Sequence, residues 1–91
     1  MHQMMKVVSC GDLMQVPSQK TEGGMLSKRQ IVLQLVGSKY EDTFVGTMLG
    51  NLALCQFYPD DVVWASLRFN TREYGGQIYQ DITVNELIKL N

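Results

Sequence analysis

Two adjacent glycines, Gly75-Gly76, constrain the fold of this chain more than any other feature of its sequence. They separate two runs, residues 62–74 and 77–90, in which residues that favour β-strands alternate with polar ones. A type I′ hairpin turn requires positive φ at both central residues, and glycine adopts that conformation without steric cost. We therefore predict a long two-stranded hairpin in which Tyr74 lies opposite Gln77.

The predicted register divides the hairpin side chains between two faces, because alternate residues of a strand point to opposite sides. One face is apolar at its base and becomes polar toward the tip, whereas the other interleaves arginines with aromatic rings. The predicted pairs of the first face are Val63/Ile88, Ala65/Glu86, Leu67/Val84, Phe69/Ile82, Thr71/Gln80 and Glu73/Ile78. The predicted pairs of the second face are Trp64/Leu87, Ser66/Asn85, Arg68/Thr83, Asn70/Asp81, Arg72/Tyr79 and Tyr74/Gln77.

The length of 91 residues and the hydrophobic content of 45% predict one globular domain over residues 1–91. No apolar run approaches the roughly 20 residues of a membrane-spanning helix, and residues 1–6 hold no signal-peptide core. We therefore expect a cytoplasmic protein that does not associate with membranes, in which Cys10 and Cys55 are reduced thiols. The single histidine, His2, and the two distant cysteines lack metal-ligand spacing, so we expect neither a metal nor another cofactor.

The part of the chain before the hairpin predicts three strands, a loop and a short helix. The predicted elements are a first strand over residues 5–16 with a bend at Gly11, a loop over 17–27, a second strand over 28–36, a polar turn over 37–42, a third strand over 43–49 with a bend at Gly46, and a helix over 51–57 with Asn51 as its N-cap. Residues 85–90 are expected to complete the last strand, with a short helical turn as the alternative.

This order of elements predicts an all-β fold with a small helix between the third and fourth strands. Five strands with a helix in that position match the OB-fold, a five-stranded, partly open Greek-key barrel. Its fourth and fifth strands are then the long hairpin that turns at Gly75-Gly76. An SH3-like barrel and a small open α+β sheet are the alternative folds.

Two stretches resemble bacterial single-stranded-DNA-binding proteins and, in the same superfamily, the primosomal replication protein. They are Leu49-Gly50-Asn51-Leu52-Ala53 and, after a turn, the strand over residues 62–74 with its basic and aromatic residues. The motifs cover about residues 45–84. The resemblance implies an OB-fold without enzymatic activity that binds single-stranded DNA. The chain departs from the family pattern where Asp60-Asp61 replaces Gly-Asp and where Tyr74 replaces the hairpin tryptophan.

Binding of a single strand requires rings on which bases stack and cations that follow the phosphates. The second hairpin face offers Trp64, Tyr74 and Tyr79 as rings and Arg68 and Arg72 as cations. The remaining candidates are three cations in or after the first loop and one ring at a position that the resemblance implies: Lys20, Lys28, Arg29 and Phe44. We expect single-stranded DNA as the ligand, RNA as an alternative, and no small-molecule substrate.

A structural interpretation of the same residues stays open. Arg72 and Tyr79 also form a stabilising cross-strand pair in the predicted register, and Trp64 is either a stacking platform or a covered interface residue. The near-neutral net charge of -1 favours an OB-fold module that binds proteins instead of nucleic acid. For either function we expect a homodimer or a homotetramer.

Catalysis is not expected from this sequence. Its carboxylate pairs, Asp60-Asp61, Glu41-Asp42 and Glu73 near Asp81, lie in predicted turns or on strand edges, where aspartate is common for conformational reasons. General acid–base chemistry needs such groups in a cleft with partners. The only histidine is near the amino terminus, so no nucleophile has an adjacent base.

Overall fold

Six β-strands and one short helix make up the part of the chain that the computed structural model describes, residues 2–18, 22–37 and 42–90. In chain order they are β1 (His2–Cys10), β2 (Met14–Pro17), β3 (Met25–Leu35), β4 (Thr43–Leu49), α1 (Asn51–Leu54), β5 (Val62–Tyr74) and β6 (Gln77–Lys89), with a 3₁₀ turn at Glu22–Gly24 before β3. Strands dominate, so the prediction of an all-β fold is confirmed.

The strands form one sheet that curls into a partial ring. Its order is β1-β5-β6-β4-β3-β2, and β1 also pairs with β3, so that five of the six strands close on themselves. All pairings are antiparallel except the one between β4 and β6, which rests on the single parallel pair Thr47/Thr83. The pairing of β4 with β6 is therefore the shortest ladder of the ring, and we call this contact the seam.

Gly46 allows that seam to close. A Cβ atom added at Gly46 would lie 2.7 Å from a methyl group of Val84 on β6, closer than side chains pack in proteins. The sequence predicted a bend at this glycine, but β3 and β4 pair without a register shift on both sides of it. The ladder therefore holds no bulge at Gly46, and the glycine allows the close approach of β4 and β6.

The core fills the ring with side chains from the inner faces of the strands. Its fully buried members include Met5, Val7, Ile31, Leu33, Met48, Val63 and Ala65, and Ala53 of α1 and Phe57 belong to the same buried cluster. Alternation along each strand points these residues into the ring and the residues between them outward. This pattern is the physical reason that the predicted half-buried strands form.

The hairpin follows the predicted register only in its outer part. Gly75 and Gly76 have φ of 60° and 80°, and the pairs from Tyr74/Gln77 to Leu67/Val84 are as predicted. A β-bulge at Asn85 then shifts the register by one residue. The four predicted base pairs are therefore wrong, and the observed ones are Ser66/Glu86, Ala65/Leu87, Trp64/Ile88 and Val63/Lys89.

The bulge has a clear energetic reason. In an unbroken register Glu86 would face Ala65, which is fully buried, and a carboxylate without a partner is costly there. One extra residue on β6 turns Glu86 to the outer face and brings Leu87 into contact with the core. The amino group of Lys89 then lies 3.5 Å from the carboxylate of Asp61.

Three predicted elements differ from the structure in their limits. The predicted first strand is broken at residues 11–13 into β1 and β2, because the backbone turns at Gly11, whose amide donates to the Gln30 carbonyl at 2.8 Å. The second predicted strand begins earlier, at Met25, where it pairs with Pro17 of β2. The helix ends at Leu54, and its N-cap is Gly50, without a capping side chain, instead of Asn51.

Candidate nucleic-acid interface

A groove runs along the outer surface between β2–β4 and the hairpin. Its volume is about 310 Å³. The residues that line it are Val16, Lys28, Thr47, Leu49, Arg72, Asp81, Ile82 and Thr83. We call this surface the hairpin groove. The first wall consists of residues from β2, β3 and β4, and the second consists of hairpin residues from β5 and β6. The two walls meet where Thr47 pairs with Thr83. Lys28 belongs to the first wall and Arg72 to the second, so the groove has a cation on each side.

Arg72 is held in place on the hairpin wall by two neighbours. Its Nε lies 2.8 Å from Oδ2 of Asp81, and its guanidinium lies 5.5 Å from the centre of the Tyr79 ring. Tyr79 is fixed in turn, because its hydroxyl donates to Oε1 of Gln77 at 2.6 Å. The side chain of Arg72 nevertheless remains 68% exposed. It is therefore an oriented cation that still faces solvent.

The outer hairpin face continues from Arg72 in both directions. Toward the tip, Tyr74 is 79% exposed and leaves its ring uncovered. Toward the base, Arg68 is exposed and lies opposite Thr83, whose hydroxyl accepts a hydrogen bond from the Asn70 amide at 3.4 Å. Six residues separate Arg68 from Tyr74, a length of about 20 Å in a strand. Two cations and one exposed ring thus share this face of the hairpin, and one of the cations, Arg72, lines the hairpin groove itself.

Trp64 lies on the same face of β5 but outside this group. Ser66, which is buried, separates it from Arg68 along the strand. Its neighbours across the sheet are Met4 on β1 and Ile88 on β6. Trp64 is 40% exposed. The structure therefore sets Trp64 among apolar side chains, apart from the residues that line the hairpin groove.

Arg29 faces away from Lys28, because adjacent residues of β3 point to opposite sides. Its Nη1 donates to the Cys55 carbonyl at 3.3 Å, and its Nε is buried without a hydrogen-bond partner among the described residues. It lines a second cavity, of about 390 Å³, together with residues 9–13 and 56–59. The structure therefore places the two cations predicted to act together, Lys28 and Arg29, at different surfaces.

Phe44, the one remaining predicted residue that the structure describes, also lies apart from the hairpin groove. Phe44 is half-buried on the core side of β4, where its ring meets that of Phe69 edge to face at 6.3 Å. Lys20 lies outside the described residues. The structure thus brings together Lys28, Arg68, Arg72, Tyr74 and Tyr79 around the groove and hairpin tip, and it separates Trp64, Arg29 and Phe44 from them.

Three of the carboxylates that the sequence offered as pairs, Asp60, Asp61 and Asp81, have structural partners. Oδ2 of Asp61 accepts a hydrogen bond from the Tyr58 amide at 2.9 Å and faces Lys89, while Asp81 binds Arg72. The residues that the structure describes contain no cluster of His, Cys, Asp and Glu that could hold a metal ion. Their single helix is too short to cross a membrane.

Sequence reasoning missed the groove-lining residues of β2, β4 and β6. Thr47 and Leu49 belong to an alternating strand, but nothing in the sequence indicates that β6 returns beside β4 in parallel. Val16 was assigned to a continuous first strand, so its place beside Lys28 could not be inferred. The detectable signal was the alternation of residues 43–49, which exposes every second side chain.

Comparison of the chain with models of protein families, with curated proteins and with solved structures gives no match. The function proposed below therefore rests on the positions of side chains in this structure and on the chemistry that those side chains allow. The side chains that matter most are the cations Lys28 and Arg72 in the hairpin groove. The rings of Tyr79 and Tyr74 continue this surface toward the hairpin tip.

Proposed function

We propose that this chain is an OB-fold protein that binds single-stranded DNA along the hairpin groove, with RNA as an alternative ligand. One observation carries the proposal: Lys28 and Arg72 line the same groove, and two partly exposed rings, Tyr79 and Tyr74, continue it to the hairpin tip. A single strand needs both cations and stacking rings in one continuous path.

The order of strand pairing supports the OB-fold. If β1 and β2 are counted as one bent strand, the chain has five strands, and its helix lies between the third and the fourth. OB-folds bind oligonucleotides on the face of their second and third strands, between the loops after the first and fourth strands. Here those strands are β3 and β4, and the loop after the fourth is the turn at Gly75-Gly76. The hairpin groove is lined by residues of both β3 and β4 and by residues of the hairpin, which supports a binding path on that face.

The chemistry of the groove suits a strand of unspecified sequence. Phosphates can lie between Lys28 and Arg72, and bases can stack on Tyr74, each stack contributing about 1–3 kcal/mol. The net charge of -1 supplies no long-range attraction for a polyanion. Binding should therefore depend on the local cations and weaken steeply with salt, since displaced counterions provide much of the affinity.

The test is fluorescence anisotropy of a labelled oligo-dT, measured at several salt concentrations. We compare the wild type with Lys28→Gln and with the double variant Arg72→Ala/Tyr74→Ala. We expect each lost phosphate contact to reduce the slope of log affinity against log salt by about 0.7. The double variant should lose most of the binding, because it removes a cation and the exposed ring together.

Lys89→Gln is the matched control for Lys28→Gln. It removes the same charge at the base of the hairpin, away from the groove, and circular dichroism verifies its fold because Lys89 pairs with Asp61. The proposal fails if the folded wild type does not bind at low salt, or if Lys89→Gln weakens binding as much as Lys28→Gln. A parallel titration with oligo-U compares RNA with DNA.

A protein-binding OB module without nucleic-acid affinity is the second candidate function. The observation in its favour is the hairpin tip, where Ile78 is 73% exposed and Tyr74 is 79% exposed. Tyrosine is enriched among the residues that carry most of the binding energy of protein interfaces. The salt titration separates the two functions, because an apolar interface lacks the steep salt dependence of phosphate contacts.

A further inference from the structure

Three apolar side chains form a row across the outer face of β1, β5 and β6. Met4 pairs with Trp64, and Trp64 pairs with Ile88. The three residues are 41%, 40% and 46% exposed. We call them the apolar row. They lie on the opposite face of their strands from the core and do not line the hairpin groove. The row is therefore apolar surface that the described part of the chain leaves open to solvent.

The bulge at Asn85 determines what the row contains. It places Ile88 beside Trp64 and turns Leu87 toward the core, so the outer face gains a β-branched residue next to the tryptophan. It also moves Glu86 to the outer face, two residues from Ile88 along β6. The bulge thus gives this outer face both its apolar centre, with Ile88 beside Trp64, and its charged edge at Glu86.

Two further residues enlarge the apolar surface. Leu90, 50% exposed, follows β6 and donates its amide to the Val62 carbonyl at 2.8 Å. Val36, 43% exposed, donates its amide to the Met4 carbonyl at 3.4 Å. Together with the apolar row they expose on the order of 400 Å², the size of the largest apolar patch on a typical monomer, which is often functional. A stable interface buries ~800 Å² per partner, so a contact centred on this patch has to include the polar residues around it.

The charges around the row favour a second copy of this chain as the partner. Lys6 is two residues from Met4 on the outer face of β1 and pairs with Val62, whereas Glu86 pairs with Ser66. Lys6 and Glu86 therefore lie on opposite sides of Trp64, at diagonal corners of the face. A two-fold axis that lies in the contact plane and passes through Trp64 exchanges these corners. It brings Lys6 of each copy to Glu86 of the other.

We propose that the outer face of β1, β5 and β6 joins two copies of this chain, with Trp64 near the two-fold axis. Within one copy, the amino group of Lys6 lies 3.8 Å from a carboxylate oxygen of Asp60, and this ion pair competes with the proposed contact to Glu86. The pair is weak, since the Asp60 side chain is 87% exposed. The hairpin groove lies outside the contact, so the dimer leaves both grooves open. The proposal does not depend on DNA binding.

The test is the mass of the protein in solution, measured by sedimentation equilibrium over a dilution series. We expect a dimer for the wild type and a monomer for Ile88→Lys with unchanged circular dichroism. The matched control is Ile78→Lys, which makes the same change at an exposed residue of the hairpin tip outside the row; it should remain a dimer. A folded wild type that is monomeric at every concentration overturns the proposal and leaves the row for a partner of another sequence.

Charge reversal tests the orientation of the two copies. Lys6→Glu alone should raise the dimer dissociation constant, because it places two carboxylates together at each corner. Adding Glu86→Lys should restore dimerisation, because the pairs then form with the charges exchanged. If the double variant dimerises no better than the single one, the proposed axis is wrong. A disruptive effect of Ile78→Lys equal to that of Ile88→Lys overturns the assignment of the interface to this face.

Discussion

Asp81 should limit the affinity of the hairpin groove for a nucleic acid, because it already occupies the guanidinium of Arg72. Their atoms are 2.8 Å apart, and the two side chains are 68% and 49% exposed. A phosphate that binds Arg72 must displace this carboxylate or share the guanidinium with it. We therefore predict that Asp81→Asn increases the affinity for oligo-dT, although it removes an ion pair from the free protein.

The size of the effect follows from the exposure of the pair. An ion pair open to water contributes about 0.2–1 kcal/mol, since solvent screens both charges. Relief from that competition corresponds to an affinity gain of about 1.5- to 5-fold. The salt dependence should also steepen, by at most about 0.7 in the slope of log affinity against log salt, because Arg72 then releases a further counterion.

The assay is anisotropy with labelled oligo-dT, with Glu73→Gln as the control. Glu73 is exposed, next to Arg72 in sequence, and on the opposite hairpin face, so the control removes an equal charge without freeing the guanidinium. In an Arg72→Gln background, Asp81→Asn should give no more than the gain of that control. The reasoning is refuted if the two neutralising variants raise affinity equally, or if the Arg72→Gln background leaves the gain unchanged.

Three further predictions concern stability and are measured by urea unfolding. Gly46→Ala should lower the free energy of unfolding by about 1–3 kcal/mol, because its methyl group meets Val84 at the seam; an unchanged midpoint would show that the strands separate freely. Asp61→Ala should cost about 1–3 kcal/mol by leaving the Tyr58 amide without its acceptor, and a neutral effect would mean that water replaces the carboxylate. Deletion of Asn85 should keep unfolding cooperative, because Glu86 then follows Val84 directly and lies opposite Ser66 in an unbroken ladder that retains the observed base pairs; loss of the cooperative transition would contradict this account of the bulge.

The hairpin could be predicted because its information is local. Two glycines determine the turn, and alternation extends the register outward one pair at a time. The bulge breaks this rule, but the sequence carried a sign of it: the predicted register paired Glu86 with Ala65 on the core face. A carboxylate among small and apolar residues is a conflict that one extra residue removes. A search for such conflicts would have located the shift near Asn85.

The hairpin groove could not be predicted to the same degree, because it depends on contacts between distant segments. The alternation of β3 already placed Lys28 and Arg29 on opposite sides, and the structure keeps them apart. The parallel contact between β4 and β6 has no local signal, since it is fixed by how the ring closes and by the small volume of Gly46. The neighbours of Trp64 likewise depend on both β1 and the shifted end of β6.

The seam between β4 and β6 has a consequence for how the chain acquires its structure. Every strand except β2 belongs to the ring, and the last strand, β6, supplies its closing contact at Thr83. During synthesis, β3 and β4 can pair early, yet their inner faces stay uncovered until β6 has left the ribosome. Folding of the nascent chain should therefore occur late and in one step, and a stalled chain that lacks β6 should depend on chaperones.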